Sequence, residues 1–243
     1  KARRRRNLVL GVLTAVVVVA LAFVLWWTFR GDPDDPTPTA STTASAVPQV
    51  VPPNASADDL GINANPLATD PLHTLVIYGD YQCSGCAIQE EALKDVLAEA
   101  VASTTVQVEF RNRDFLDEDA GHGNMSRPAS IAAACADVAG DFFDYHMKVY
   151  DHYGELDDTV LRETIPGELG WPAATVTSFQ TCHDNKSTAN FVDSVEKAAD
   201  EAFYNAGITS TPTFILDGEA AANTQWLVDG QYDLDKARAA LGL

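Results

Sequence analysis

The residues of this sequence best suited to chemistry are two cysteines separated by two residues. Cys83 and Cys86 stand in the stretch Tyr81-Gln82-Cys83-Ser84-Gly85-Cys86. A pair at this spacing has three ordinary interpretations: half of a zinc site, a redox-active dithiol, or two incidental cysteines. Zinc is disfavoured because the other two cysteines, Cys135 and Cys182, lie far apart in the chain and do not form a second pair of ligands.

A strand and a helix are predicted on either side of the dithiol. The run from Leu72 to Tyr78 is apolar and rich in β-formers, which predicts a buried strand. After Cys86, apolar residues return every three or four positions, which predicts a helix. The dithiol therefore lies at the start of a helix, where free backbone N–H groups and the helix dipole favour an anionic sulfur.

This position assigns different roles to the two sulfurs. We expect Cys83, at the helix start, to be a thiolate with a lowered pKa that forms a mixed disulfide with a substrate. Cys86, one turn further in and more buried, then attacks Cys83 to release the substrate, or leaves it in the reverse direction. Such a two-electron carrier needs no metal and no bound organic cofactor.

The elements around the dithiol predict an α/β fold. A second strand, Thr105 to Phe110, follows the first helix, so the two strands should be parallel with a right-handed crossover. Helical spacing of apolar residues then predicts a helical insertion over about residues 119–206. After it, the runs 213–218 and 224–230 predict an antiparallel hairpin, and a last helix closes a domain that spans 71–243.

The first thirty residues predict a membrane anchor. Leu8 to Phe29 contains no charged residue and is long enough to span a bilayer. Basic residues precede it and Trp26 and Trp27 lie near its far end, which predicts a single-pass signal-anchor with a cytoplasmic amino terminus. A cleaved signal peptide is the alternative, but no small-residue cleavage site follows closely. Residues 31–70, rich in Pro, Thr, Ser, Ala and Asp, predict a disordered linker to an extracytoplasmic domain.

The charge of the chain excludes one class of partner. After Arg30 the sequence has ten basic and thirty-five acidic residues, a formal charge of −25. Because such a surface repels phosphate backbones, we expect no binding to nucleic acid.

A proline near the carboxyl end is a second feature of interest. Pro212 opens the run Thr213 to Gly218 and follows Thr211. It is either a cis proline in a defined turn or a trans proline that begins an ordinary strand, and the local sequence alone favours the trans form.

Three stretches in this order resemble the DsbA-like thiol:disulfide oxidoreductases, a branch of the thioredoxin superfamily. They are Gly79 to Cys86, the helical stretch from Ser130 to His146, and Gly207 to Phe214. The resemblance covers about residues 72–243. It implies a thioredoxin-like fold with a helical insertion, a cis Pro212 against the dithiol, and a Thr211 backbone available to a substrate strand.

The resemblance also implies an activity and a partner. It implies a protein-disulfide oxidoreductase that a quinone-linked membrane protein of the DsbB or VKOR type reoxidises. One position departs from the family pattern, since members often have Pro and an aromatic residue or His between the cysteines, whereas this chain has Ser84 and Gly85. The direction of electron flow therefore stays open among oxidase, isomerase and reductase.

The remaining cysteines predict a structural disulfide. Cys135 and Cys182 both fall on predicted helices of the insertion, and an extracytoplasmic domain lies in an oxidising compartment. His146, on an aromatic-rich helix, is more typical of a hydrogen-bonded core histidine than of a ligand.

The sequence thus predicts a membrane-tethered, extracytoplasmic enzyme that acts on thiols of exported proteins, in oxidative folding. Two alternatives remain. One is a non-catalytic thioredoxin-like accessory subunit of a membrane complex. The other is a reductase or isomerase with the same fold, although the Trp usual before the first cysteine in cytochrome-maturation reductases is replaced here by Gln82.

Overall fold

A five-stranded sheet forms the centre of the computed structural model, which describes residues 47–119, 121–206 and 210–243. Two parallel strands lie at its centre, and the outer strands pair antiparallel with them or with each other. In spatial order the strands are β1 (Ile62–Asn63), β3 (Val106–Arg113), β2 (His73–Asp80), β4 (Thr213–Leu216) and β5 (Glu219–Ala220).

The predicted parallel crossover is present. Helix α1 (Ser84–Ala102) connects β2 to β3, and the register pairs Leu75 with Val108. Leu75 and Ile77 of β2 are fully buried. A strand with neighbours on both sides and covered faces loses the alternation of polar and apolar residues, which explains its continuous apolar run.

Helices fill the chain between β3 and β4. They are α2 (Ser126–Ala139), α3 (Phe142–Asp151), α4 (Ile165–Glu168), α5 (Ala173–Asp184) and α6 (Ala189–Ala206), with a 3-10 turn at Phe115–Glu118 and a π-helical turn at Val160–Thr164. Helix α2 has five buried alanines, whose small side chains allow its neighbours to approach closely. A disulfide between Cys135 and Cys182 joins α2 to α5.

The predicted linker over residues 31–70 is wrong in its second half. The segment from Val47 onwards packs on the domain: Val50 N donates to Ser187 O at 2.7 Å, and the Asn54 side chain donates to Asp137 at 2.8 Å. Buried Asn65 donates to the carbonyls of Ala100 and Val106 and so satisfies the end of α1. Hydrogen bonds of polar side chains, together with the burial of Ile62 and Ala68 in the core, order this segment. Residues 31–46 lie outside the described part of the chain.

The predicted strand over residues 224–230 is confirmed only at Leu227–Val228, and the hairpin predicted between it and the run 213–218 is wrong. β4 turns at Asp217 and Gly218, both with positive φ, and pairs with β5. Next comes the short helix α7 (Ala222–Gln225), then a separate hairpin of β6 (Leu227–Val228) and β7 (Gln231–Tyr232), and finally α8 (Leu234–Leu241). Asn223 stabilises the helical turn, because its side chain accepts from Phe214 N and donates to Gln89.

The predicted transmembrane helix, Leu8 to Phe29, lies outside the residues that the structure describes. None of the helices within those residues combines the length and apolarity needed to cross a bilayer.

Candidate active site

The sheet brings the dithiol and the proline segment together. β2 ends at Asp80, and after a two-residue turn Cys83 is the N-cap residue of α1, with its N–H donating to Asp80 O at 2.9 Å. β4 lies antiparallel beside β2, so the residues just before β4 stand next to this turn. The Thr211–Pro212 peptide bond there is cis, and the Cys83 sulfur lies 3.5 Å from Thr211 O. Cys83, Cys86, Thr211 and Pro212 therefore form one site.

Cys83 ionises easily. A hydrogen bond from the Cys86 thiol, with further bonds from Thr211 and from the backbone N–H groups of Cys86 and Gly85, lowers the pKa of Cys83 to about 5 against the opposing effect of its burial. The Thr211 side chain is thus one of the groups that stabilise the anionic sulfur. At neutral pH Cys83 is a thiolate.

Cys86 behaves in the opposite way. Its sulfur is almost fully buried, whereas Cys83 is half-buried. Burial raises the pKa of the Cys86 thiol far above its usual range, and the neighbouring Cys83 sulfur raises it further. An accessible thiolate next to a buried thiol is the arrangement needed for a nucleophilic and a resolving cysteine.

Gly85 lets the proline segment approach the helix. A Cβ placed on Gly85 would lie 3.2 Å from Pro212 Cδ and 3.7 Å from Cys83 Sγ. The missing side chain of Gly85 therefore makes room for Pro212 beside the sulfur.

A buried carboxylate connects the active-site turn to the helical region. Asp80 Oδ1 accepts from Ser126 Oγ at 2.6 Å and from Gln82 N at 2.8 Å. Burial raises the pKa of Asp80 to about 6. Asp117 accepts from Gln82 Nε2 and from the N–H groups of Ser126 and Arg127, and so caps the start of α2.

The sequence alone does not reveal the partners of Asp80. Ser126, Gln82 and Asp117 carry no motif, and the Asp80–Ser126 contact joins residues 46 positions apart. The Cys135–Cys182 bridge lies on α2 and α5 and takes no part in this site. Among the described residues, no group of three or more His, Cys, Asp or Glu side chains is placed to hold a metal ion.

Comparison with known proteins identifies the family. The thioredoxin family model matches residues 68–230. No curated protein matches the sequence. Among solved structures, MdbA of Corynebacterium diphtheriae, a thiol-disulfide oxidoreductase, is 22% identical with a TM-score of 0.57 over 82% of this chain and 100% of its own.

Two further structures share the fold. MdbA of Actinomyces oris is 16% identical with a TM-score of 0.61, over 80% of this chain and 91% of its own. The thiol-disulfide exchange protein alpha-DsbA2 of Wolbachia pipientis is 19% identical with a TM-score of 0.52, over 72% of this chain and 82% of its own. These likenesses confirm the predicted thioredoxin-like fold, and with the match over residues 68–230 the chain belongs to the thioredoxin family.

Proposed function

We propose that the protein is a membrane-tethered, extracytoplasmic thiol:disulfide oxidoreductase that donates disulfides to exported proteins. The observation that carries the proposal is the opposite ionisation of two sulfurs at one helix start: Cys83 with a pKa near 5, and Cys86 buried with a raised pKa. Cysteines with only a structural role, or with no role, would not need this difference between the two pKa values.

The geometry supports exchange in two steps. A substrate thiolate attacks Cys83 Sγ of the Cys83–Cys86 disulfide; the bond between the two cysteines breaks, and Cys86 takes up a proton. A second substrate thiolate then attacks the substrate sulfur of the mixed disulfide, and Cys83 leaves as a thiolate. Its lowered pKa makes Cys83 a good leaving group, so this second step is fast.

The same pKa favours the oxidase over the reductase direction. Whatever stabilises the Cys83 thiolate stabilises the reduced protein, because the disulfide form has no thiolate to stabilise. The dithiol must then be reoxidised, and a quinone-linked membrane protein of the DsbB or VKOR type is the partner that the family resemblance implies.

Two observations support the extracytoplasmic location. The Cys135–Cys182 disulfide is of a kind that persists in oxidising compartments. The apolar run from Leu8 to Phe29 after a basic start predicts an anchor that leaves the domain outside. Protease protection of the full-length protein in spheroplasts tests the location, and a domain that survives added protease would contradict it.

The activity is tested with the full-length protein in mild detergent. We expect it to refold reduced ribonuclease and to equilibrate with glutathione at a potential above about −200 mV, on the oxidising side of thioredoxin. The Cys83→Ser variant is the control, because it lacks the sulfur that exchanges with substrate and should be inactive in both assays. A value near about −270 mV would instead identify a reductase. A protein whose Cys83 reacts with an alkylating agent, but which neither refolds ribonuclease nor reduces insulin, would contradict the enzyme. The non-catalytic accessory subunit would then be the better interpretation.

A further inference from the structure

The helical region contains a cavity of about 380 Å³, which we call the α2–α5 cavity. Met125, Pro128 and Ile131, at the start of α2, form its apolar wall. Asp158, just before the π-helical turn, and Lys186, just after α5, are exposed at its edge, so the cavity is open to solvent. Its volume falls within the range of about 300–1,000 Å³ that is usual for ligand sites.

A buried histidine, His183, lines this cavity. It is only 8% exposed, and its ring stacks on the ring of buried Phe179 with the centroids 5.9 Å apart. Its Nδ1 has no hydrogen-bond partner among the described residues and lies 3.7 Å from Asp184 Oδ1. Its Nε2 lies 3.8 Å from Asp158 Oδ1, which is also too far for a hydrogen bond. Because an unpaired buried nitrogen costs stability, a ligand that pairs with it would explain its presence.

The charges around the cavity restrict the kind of ligand. Arg127 and Asp184 already have ion-pair partners, each at 2.7 Å. Within the described parts of the chain, the Asp158 carboxylate has only His183 in ion-pair range, and the Lys186 ammonium has no acidic partner. A simple anion would be repelled by Asp158 and a simple cation by Lys186. The cavity therefore suits a neutral ligand with an apolar part and with both donors and acceptors.

An unfolded polypeptide has this chemistry. Each of its peptide groups provides one donor and one acceptor, and its apolar side chains gain from contact with an apolar wall. The imidazole of His183 can donate from one nitrogen and accept at the other, while the ammonium of Lys186 donates and the carboxylate of Asp158 accepts. The flexible thioether of Met125 can adapt to side chains of different shapes.

The start of α2 connects this cavity to the dithiol. Gln82, the residue before Cys83, donates from Nε2 to Ser126 Oγ at 2.7 Å. Met125 and Arg127, on either side of Ser126, both line the α2–α5 cavity. Met125 also lines a smaller cavity, of about 240 Å³, that borders Gln82. A chain segment held in the large cavity can therefore continue past Met125 and Gln82 to the sulfur of Cys83.

We propose that the α2–α5 cavity binds an apolar side chain of the reduced substrate polypeptide, a few residues from the cysteine that reacts with Cys83, and that His183 pairs with the adjoining backbone. The inference rests on the proposed function and deepens it. Binding there holds the substrate cysteine near Cys83 and raises its effective concentration. Small thiols such as glutathione gain nothing from the cavity. Unfolded chains are favoured over folded ones, whose apolar side chains and backbone groups are already buried.

The test measures binding and exchange separately on the full-length protein in mild detergent. The binding probe is unfolded ribonuclease with carbamidomethylated cysteines, which cannot exchange, and its binding is followed by fluorescence anisotropy. We expect His183→Phe to weaken probe binding about tenfold, as loss of a buried hydrogen bond does. The KM of the oxidised protein for reduced ribonuclease should rise by the same factor, whereas kcat and the rate with glutathione should stay unchanged.

Unfolding in urea separates a ligand-binding histidine from a structural one. His183→Phe keeps an aromatic ring against Phe179 and removes the unpaired nitrogen, so the variant should be at least as stable as the wild type. A histidine with a purely structural role would instead lose stability on this change.

A second variant removes only the charge at the cavity edge. Lys186 has a positive φ of 50°, which Asn tolerates, so Lys186→Asn should fold and should weaken probe binding about threefold. Lys197→Gln is the matched control, because Lys197 is an exposed lysine of α6 and is not among the residues that line the cavity.

The outcomes separate the two proposals. Wild-type probe binding in His183→Phe and in Lys186→Asn would overturn this inference, as would failure of the wild-type protein to bind the probe. It would also be overturned if decylubiquinone bound in a His183-dependent way and the probe did not displace it. Lys186→Asn decides the matter if His183→Phe does not fold. Probe binding that depends on His183, in a protein that does not exchange with glutathione, would support the cavity and overturn the proposed function.

Discussion

At the scale of single residues, the site depends on what surrounds each sulfur more than on the dipeptide between them. Ser84 and Gly85 provide no charge and no aromatic ring, yet the pKa of Cys83 falls to about 5. The Cys86 thiol, Thr211 and the backbone N–H groups of the first helical turn supply the stabilisation. Sequence reasoning found the helix start, whereas the contributions of Cys86 and Thr211 required the fold.

The pH dependence of Cys83 alkylation checks this ionisation. Only the thiolate reacts, and the folded pKa is lowered, so the rate in the reduced protein should rise through about pH 5 and be level at pH 7. Urea-unfolded protein is the control, and its rate should rise near about pH 8.5. A folded protein with the unfolded profile would contradict the lowered pKa.

A second prediction at this scale concerns the substitution of Gly79. A Cβ on Gly79 would lie 2.9 Å from the oxygen of buried Tyr150, which is closer than real contacts allow. We expect Gly79→Ala to reduce the free energy of unfolding by about 1–3 kcal/mol in urea denaturation, as overpacking does.

Tyr150→Phe provides the matched background, because it removes that oxygen alone. The cost of Gly79→Ala should be smaller in Tyr150→Phe than in the wild type, a coupling that a double-mutant cycle measures. Equal costs in the two backgrounds would show that the contact is not the cause.

At the scale of elements, patterns of apolar residues located the sheet centre and the helices, and failed where polar side chains order the backbone. The strand around Leu75 and the helix after Cys86 follow from periodicity. The segment 47–70 does not, because hydrogen bonds from residues such as Asn54 and Asn65 order it. Likewise the hydrogen bonds of Asn223 to Phe214 N and Gln89, which no apolar pattern predicts, hold residues 222–225 against the domain.

Asn65 tests this account of the amino-terminal segment. Its Nδ2 lies within hydrogen-bond distance of the carbonyls of Ala100, Ser103 and Val106 and shares its two hydrogens among them; two of these contacts are buried. We expect Asn65→Ala to lower the free energy of unfolding by about 2 kcal/mol, since buried carbonyls lose their donor. Asn185→Ala, which removes an exposed side-chain bond at the end of α5, is the control and should cost less than about 0.5 kcal/mol. Equal effects would contradict the assigned role.

At the scale of the whole molecule, the chain carries two pairs of cysteines with separate tasks. One pair is free and shares the active site; the other joins α2 to α5 within the helical region. The membrane anchor and the remaining linker, residues 31–46, stay predictions of the sequence. The large negative charge of the domain bears on solubility and partners but did not help to predict the fold.

Loss of the second pair should affect stability and spare exchange. In the chain-entropy model, closing a loop of about 48 residues contributes about 4 kcal/mol. We expect Cys135→Ala with Cys182→Ala to lower the free energy of unfolding by about that amount while glutathione exchange at Cys83 continues. In the control, Cys83→Ser with Cys86→Ser, thiol titration of the unfolded, unreduced protein should find no free thiol. Two free thiols there would contradict the bridge.

The hydrogen bond from Val50 to Ser187 has a mechanical consequence. A pull on the chain towards the predicted anchor meets the domain first at the loop after α5. Ser187 lies five residues beyond Cys182, and its N–H bonds back to Cys182 O. The load therefore passes into a loop that follows α5, the helix that the disulfide joins to α2, and not into the strand that precedes the dithiol. Tension on the tether would strain the helical region before it disturbed the reactive sulfurs.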